Sequence, residues 1–236
     1  MARKRVAILI SGRGSNMVAL IDAAKDAAYP AEIALVISNE PAAEGLKRAE
    51  ASGIRTSVVD HRKFGKDREA FERALQHELQ AHRIELVCLA GFMRLLTSWF
   101  VRQWEGRLLN IHPALLPAFK GLDTHARALA SGATEHGATV HFVVPEMDSG
   151  PIIAQAAVPV MVGDNEDTLA ARVLKAEHRL YALALGLVAD GKARMEGGRT
   201  VLAHFADDAD NATSVVMAPD PLREERDLEQ LARITP

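Results

Sequence analysis

The sequence predicts an α/β protein built on an open, mostly parallel twisted sheet with helices on both faces. Three observations carry that expectation. Short segments such as Val6–Ile10 and Ile33–Ile37 are apolar at every position, as strands buried on both faces must be. Between such segments, apolar residues recur at helical spacing. The resulting alternation of strand and helix is that of parallel strands joined by crossover helices. After Pro117 the texture changes, and two strand patterns follow one another with no helix between them.

Taken in order, Val6–Ile10 is the first strand and Gly12–Asn16 a turn. Met17–Ala28 reads as a helix with Val18, Ile21 and Ala24 on one side. Ile33–Ile37 is the second strand. Pro41–Ser52 is helical and Gly53 ends it, as glycine commonly does. Thr56–Val59 is a short strand, and Asp67–His82 a helix with Phe71, Leu75 and Leu79 on one face. Ile84–Ala90 and Arg107–Ile111 are strands four and five. Thr139–Val144 and Ile152–Val160 are the two later strands, which should make the sheet mixed. Glu166–Asp190 is a long amphipathic helix, and Arg194–Glu196 with Arg199–Ala203 a hairpin around Gly197-Gly198. From Asp207 the chain is polar and acidic apart from Val215–Met217, with one charged helical pattern at Pro221–Arg233. Without repeats or a low-complexity linker, the simplest organisation is one domain over 1–206 and a polar C-terminal extension over 207–236.

A chain of 236 residues should bury roughly 70% of the surface its unfolded form exposes, so it needs no covalent staple. Its single cysteine, Cys88, cannot form an internal disulfide, which suits a reducing compartment; within Leu86–Ala90 it reads as a buried strand thiol. The formal net charge of −3 and a pI near 6.3 show nothing like the basic stripe of a nucleic-acid binder. Met1–Arg5 is basic, but the apolar run after it is too short for a signal peptide. No apolar stretch approaches the ~20 residues of a membrane span. The nine histidines lack metal-ligand spacing, so no metal is expected. The expectation is a cytoplasmic protein without nucleic-acid or membrane partners.

Three segments could carry chemistry. In Ser11-Gly12-Arg13-Gly14-Ser15-Asn16, backbone N–H groups at a strand-to-helix turn suit an anion. No Gly-Lys-Ser/Thr follows, so it is not a Walker loop. Met17 occupies the third glycine position of the dinucleotide fingerprint, although Glu40 lies where a ribose-binding acid would sit. A phosphomonoester is the preferred ligand; the bland alternative is a plain turn capped by Ser15 or Asn16. In Asn110-Ile111-His112-Pro113-Ala114-Leu115-Leu116-Pro117, Asn110 and His112 share a face of an extended chain. They sit at a strand end, where open parallel sheets bind ligands, and the prolines stop a helix. In Glu146-Met147-Asp148-Ser149-Gly150-Pro151, Asp148 occupies a turn; alone it would be read as structural. His125, His141 and Arg94 are lesser features.

Together, and in this order, the segments resemble the folate-dependent phosphoribosylglycinamide formyltransferases of purine biosynthesis. The resemblance spans about Val6 to Ala203. It rests on Ile10–Asn16, Leu89–Arg94, Arg107–Pro117, Gly121-Leu122 with Thr124-His125, His136-Gly137 with Val140–Phe142, Met147–Pro151, and Ala171–Val173 with Glu177-His178. The Asn-x-His-Pro segment marks the wider superfamily and the Gly-Ser-Asn loop this branch. The resemblance implies a formyltransferase-like fold with a Rossmann-type N-terminal half. It implies that Asn110, His112 and Asp148 are the catalytic trio and that Gly14, Ser15 and Asn16 hold the substrate phosphate. Glu177 would contact glycinamide ribonucleotide. Arg68, Met93, Arg94, Leu95, Leu96, Asn110 and the loop Val144, Pro145, Glu146, Met147 and Asp148 would line the folate pocket. Four positions depart from the family pattern. Leu174 stands where a Lys or Gln helps hold the phosphate, so Lys175 is expected to supply that contact. Pro145-Glu146 replaces a common acidic pair, and Asp123 a common His.

The implied reaction is attack of the glycinamide amine on the formyl carbon of 10-formyltetrahydrofolate, a co-substrate, without a metal. Asn110 would donate to the oxyanion of a tetrahedral intermediate. His112 would donate to it too and move the proton, and an ionised Asp148 would favour the imidazolium. Within the superfamily, transfer to methionyl-tRNA would call for an added nucleic-acid-binding domain, and hydrolysis of the folate usually comes with an extra N-terminal domain. A phosphate-binding module without chemistry would not need Asn110, His112 and Asp148 together. The expected partners are small molecules. A homodimer is left open, since Trp99–Trp104 suits either interface or core.

Overall fold

A computed structural model describes residues 2–203 and 215–217. The strands are β1 (Lys4–Ile10), β2 (Ala31–Ser38), β3 (Thr56–Val58), β4 (Leu86–Leu89), β5 (Leu108–His112), β6 (Glu135–Phe142), β7 (Ile152–Pro159), β8 (Ala193–Glu196), β9 (Arg199–Leu202) and β10 (Val215–Met217). The helices are α1 (Ser15–Ala23), α2 (Glu44–Ala51), α3 (Arg68–Ala81), α4 (Ser98–Gln103), α5 (Thr124–Ala130) and α6 (Glu166–Ala189). Among the described residues, eight strands form one sheet in the order β10-β7-β6-β5-β4-β1-β2-β3, and β8 pairs with β9 separately. From β3 to β5 the strands are parallel; β6 runs antiparallel to β5 and β7 to β6. The expected mixed sheet is observed.

The alternation of side chains along each strand sorts the core into two layers. Val6, Ile8 and Ile10 of β1 join Met17, Leu20 and Ile21 of α1, Leu46 and Ala49 of α2, and Val173, Leu180 and Tyr181 of α6. Ala7 and Leu9 join Phe71, Leu75 and Leu79 of α3 and Phe100 and Val101 of α4. Right-handed crossovers explain the split. The chain winds outward from β1 to β3, which puts α1 and α2 on one face. It then returns past β1 to β4 and β5, which puts α3 and α4 on the other. The direction of winding reverses between β1 and β4, where ligands enter open sheets.

Helix α6 locks the central strands. Its N-terminus is held by a capping box between Asn165 and Thr168, the reciprocal bond that satisfies two orphan N–H groups. Further along, the buried Tyr181 hydroxyl lies 3.0 and 3.1 Å from the carbonyl oxygens of Leu89 and Leu109, so α6 is fixed across β4 and β5. Cys88 is buried in β4, and burial pushes its thiol up to about 12. Trp104 is core and donates its indole N–H to Gln76 Oε1 at 2.8 Å, while Trp99 is half-buried under the Arg73 guanidinium.

Several boundaries differ from expectation. Helix α1 stops at Ala23 and turns fill the stretch to Pro30, because Lys25-Asp26 interrupt the apolar face. Helix α2 starts at Glu44, beyond the turn that Pro41 opens. Strand β5 extends to His112, and β6 begins at Glu135, where His136-Gly137 lacks a strand pattern. Gly137 is required there: a Cβ would lie 1.9 Å from the Ala156 carbonyl oxygen of β7. Residues 215–217 add a short edge strand parallel to β7, so the polar extension reaches the sheet. The charged helical pattern at 221–233 lies outside the described residues. Among those described, no helix is long and apolar enough to cross a membrane.

Candidate active site

Asn110 and His112 stand two apart in β5 and therefore project from one face. Strand β6 adds His141 directly opposite Asn110 and Thr139 opposite His112, and opposed residues share a face. Beyond His112 the chain turns at once, with the Ala114 N–H donating to the His112 carbonyl at 2.9 Å. Buried Thr139 pins this turn from below. Its hydroxyl donates to the Ala114 carbonyl at 2.7 Å and accepts from the Leu116 N–H at 3.0 Å. Gln155 of β7 donates to the Leu116 carbonyl at 2.9 Å. The two prolines thus flank a turn that the sheet itself fastens.

His112 is buried, 5% exposed, and both ring nitrogens face oxygen. Nε2 lies 3.0 Å from the Phe119 carbonyl oxygen and Nδ1 3.5 Å from Asp148 Oδ2. A carbonyl only accepts, so the Nε2–H donates. Asp148 arrives on the loop after β6 with φ +49°, a left-handed conformation that Asp tolerates better than most residues. The Gly121 N–H donates to its Oδ2 at 2.9 Å, and its Oδ1 lies 3.9 Å from His141 Nε2. Gly150 makes this approach possible. A Cβ there would lie 1.7 Å from the Phe142 carbonyl oxygen, so only glycine lets the loop return flat against β6.

A second set of groups lies at the ends of β1 and β4. Gly14, with φ +71°, is the N-cap of α1 and no side chain caps the helix. Ser15 and Asn16 are therefore its first two residues and not its caps. Uncapped first-turn N–H groups suit an anion. The loop is held rigidly: the Ser11 hydroxyl donates to Asn39 Oδ1 at 2.6 Å and accepts from the Met93 N–H at 2.8 Å. The Gly45 N–H donates to the Gly12 carbonyl at 3.0 Å, and a Cβ on Gly45 would lie 2.5 Å from Ile10 Cδ1. Asn16 turns inward and donates to Glu177 Oε2 at 2.6 Å. Burial raises the Glu177 carboxyl above its ordinary value, against the bond from Asn16.

Lys175 is not part of this set. Glu177 and Val173 are buried on the inner side of α6, whereas Lys175 is exposed. At 100° per residue it projects about 160° away from Glu177. Adjacency in sequence is separation on a helix, and Lys175 faces away from Glu177, on the outer side of α6.

The segment after β4 is anchored through buried Glu72 of α3, which accepts from the Thr97 N–H at 2.6 Å and from the Thr97 hydroxyl. Arg68 donates to the Leu95 carbonyl, so Arg68 and Met93–Leu96 do come together. Met93, Leu95 and Met147 are more than half exposed; Arg94, Leu96 and Val144 are partly buried, and Pro145 and Glu146 exposed. Met93, Leu95 and Met147 thus leave large apolar side chains open to solvent. Sequence reasoning missed Glu72, Phe119 and Gly45, none of which stands in a motif. It noticed His141 and His125 without giving them work. His125 and His136 meet edge to face at 5.2 Å. Burial, with His125 and His112 nearby, pulls His136 down to about 4. Among the described residues, no cluster of three or more His, Cys, Asp or Glu side chains is placed to hold a metal ion.

A model of the formyl transferase family matches residues 4–185. The chain is 48% identical over 190 residues to phosphoribosylglycinamide formyltransferase of Escherichia coli (strain K12), covering 80% of this chain and 89% of that one. It is 50% identical over 196 residues to the trifunctional purine biosynthetic protein adenosine-3 of Gallus gallus, covering 83% of this chain. It spans 19% of that relative's length. Among solved structures, glycinamide ribonucleotide transformylase 1 from Symbiobacterium toebii superposes with a TM-score of 0.82 at 43% identity. The match covers 86% of this chain and 95% of that one.

Proposed function

The chain belongs to the formyl transferase family, and from that premise we propose that it transfers the formyl group of 10-formyltetrahydrofolate to the amine of 5-phosphoribosylglycinamide. The observation that carries the reading is the meeting of Asn110, His112 and Asp148 at the end of β5. In the proposed reaction the amine lone pair attacks the formyl carbon directly and the carbonyl electrons move to oxygen. An Asn110 amide N–H donates to that oxyanion; one such donor is typically worth about 3 kcal/mol. The His112 Nε2–H, which now donates to the Phe119 carbonyl, exchanges that partner for the oxyanion. The proton lost by the amine passes by way of His112 to the folate nitrogen, as the oxyanion electrons re-form the carbonyl and the carbon–nitrogen bond to the folate breaks. The products are the formylated ribonucleotide and tetrahydrofolate. Asp148 stabilises the charged imidazolium, and no covalent enzyme intermediate or metal takes part.

The uncapped start of α1, with Gly14, Ser15 and Asn16, suits the ribonucleotide phosphate, and Glu177 lies beside Asn16 for the same substrate. Arg68, Met93, Arg94, Leu95, Leu96, Asn110 and the loop from Val144 to Asp148 form the proposed folate pocket, the exposed apolar side chains covering the ring system. The test is spectroscopic. A 10-formyl-dideazafolate analogue is incubated with the protein, with and without the ribonucleotide, and loss of the formyl group is followed by absorbance. Loss only with the ribonucleotide supports the reading. Equal loss without it would mean hydrolysis, and no loss in either case would remove the transfer reading.

A further inference from the structure

His141 has no part in the steps above, yet it is 2% exposed and stands directly across the sheet from Asn110. Its Nδ1 lies 2.8 Å from the Phe142 carbonyl oxygen. That acceptor can only be met by an N–H, so the ring proton sits on Nδ1. Nε2 is left with its lone pair, and Asn110 Nδ2 lies 3.3 Å away. A lone pair selects the amino end of an amide over its carbonyl end. His141 therefore decides which way round the Asn110 amide lies. Of the two amide N–H bonds, one is held by His141 and the other is free for a ligand. Turned by half a rotation, the same side chain would present a carbonyl oxygen to an oxyanion and repel it. The charged and titratable groups around the ring are Asp148, with Oδ1 3.9 Å from Nε2, His112 and Lys120. Burial, the largest influence, holds the imidazole below its ordinary value, and this opposes a second proton at Nε2.

Resting on the transfer reading, we propose that His141 is a positioning residue: with its single proton on Nδ1, it accepts from Asn110 through Nε2 and so aims the other Asn110 N–H at the developing oxyanion. The test is kinetic. His141→Leu removes the acceptor while keeping a buried apolar bulk, and His141→Gln restores an acceptor oxygen at similar reach. The expected result is a 10- to 100-fold lower kcat in His141→Leu, with the KM for the ribonucleotide within twofold of wild type, and partial recovery in His141→Gln. In an Asn110→Ala background His141→Leu should add less than a threefold further loss. An unchanged kcat in His141→Leu, or the full loss repeated without Asn110, overturns the proposal. Should His141→Leu fail to fold, the ring ¹⁵N shifts of the wild-type protein decide. A proton on Nδ1 supports the assignment, and a proton on Nε2 refutes it. A wild-type protein that moves no formyl group would count against the transfer reading instead.

Discussion

His112 faces two oxygens, a backbone carbonyl at Nε2 and a carboxylate at Nδ1. That arrangement sets the scale of what single substitutions should do. His112→Ala removes both the oxyanion donor and the proton carrier, and general acid–base roles of this kind are worth roughly 10²–10⁴-fold. Asp148→Asn keeps the shape but removes the charge opposite Nδ1. Both variants should lower kcat by about those factors while each substrate's KM stays within a few-fold; steady-state kinetics on both substrates checks this. Lys175→Ala should leave the KM for the ribonucleotide unchanged, because the side chain projects away from Glu177. A rise in that KM would mean the lysine reaches the phosphate after all. At this scale the sequence was informative where spacing fixes geometry. Asn110 and His112, two apart in an extended strand, had to share a face. It was silent where contact depends on elements far apart in the chain. Nothing near Asn16 announces Glu177, and nothing near Asn110 announces the tautomer of His141.

The loop between β6 and β7 delivers Asp148 to the histidines only because Gly150 passes against the Phe142 carbonyl oxygen. Gly150→Ala must push the loop outward, since a carbonyl in a sheet cannot yield the missing distance. The expectation is at least a tenfold loss of kcat, together with a stability loss of about 1–3 kcal/mol from overpacking, read by denaturant unfolding. Unchanged turnover would show that Asp148 reaches its place by another route. The long elements were legible: α3 and α6 have sustained apolar faces, and β1 and β2 are apolar throughout. The short helices α4 and α5, six and seven residues long, span too few turns for a period to register. Strand β6 begins with Glu135-His136-Gly137, a string that reads as loop. Its pairing with β7 and the close approach at Gly137 override that local preference.

For the molecule as a whole, the parallel sheet and its mixed C-terminal part followed from the order of elements. The strand order did not, because it depends on which crossovers fold back past β1. Stability should also carry the mark of the buried histidines. His136 is held to about 4 in the folded protein, against an ordinary value of about 6.5 in the unfolded chain. As pH falls below about 6.5 the unfolded chain takes up a proton that the folded one refuses, so stability is lost until the pH passes about 4. The difference across that window is up to roughly 3 kcal/mol. Urea midpoints at pH 7 and pH 5 should therefore differ, and His136→Gln should flatten the difference; a variant with the wild-type slope would contradict the assignment. The central claim, direct formyl transfer from the folate to the ribonucleotide amine, is tested by a single turnover with the formyl carbon isotopically labelled. The account requires the label to appear on the ribonucleotide in one phase, with none held covalently on quenched protein, and the phase to collapse in His112→Ala. Label released as formate, or trapped on the protein, would contradict it.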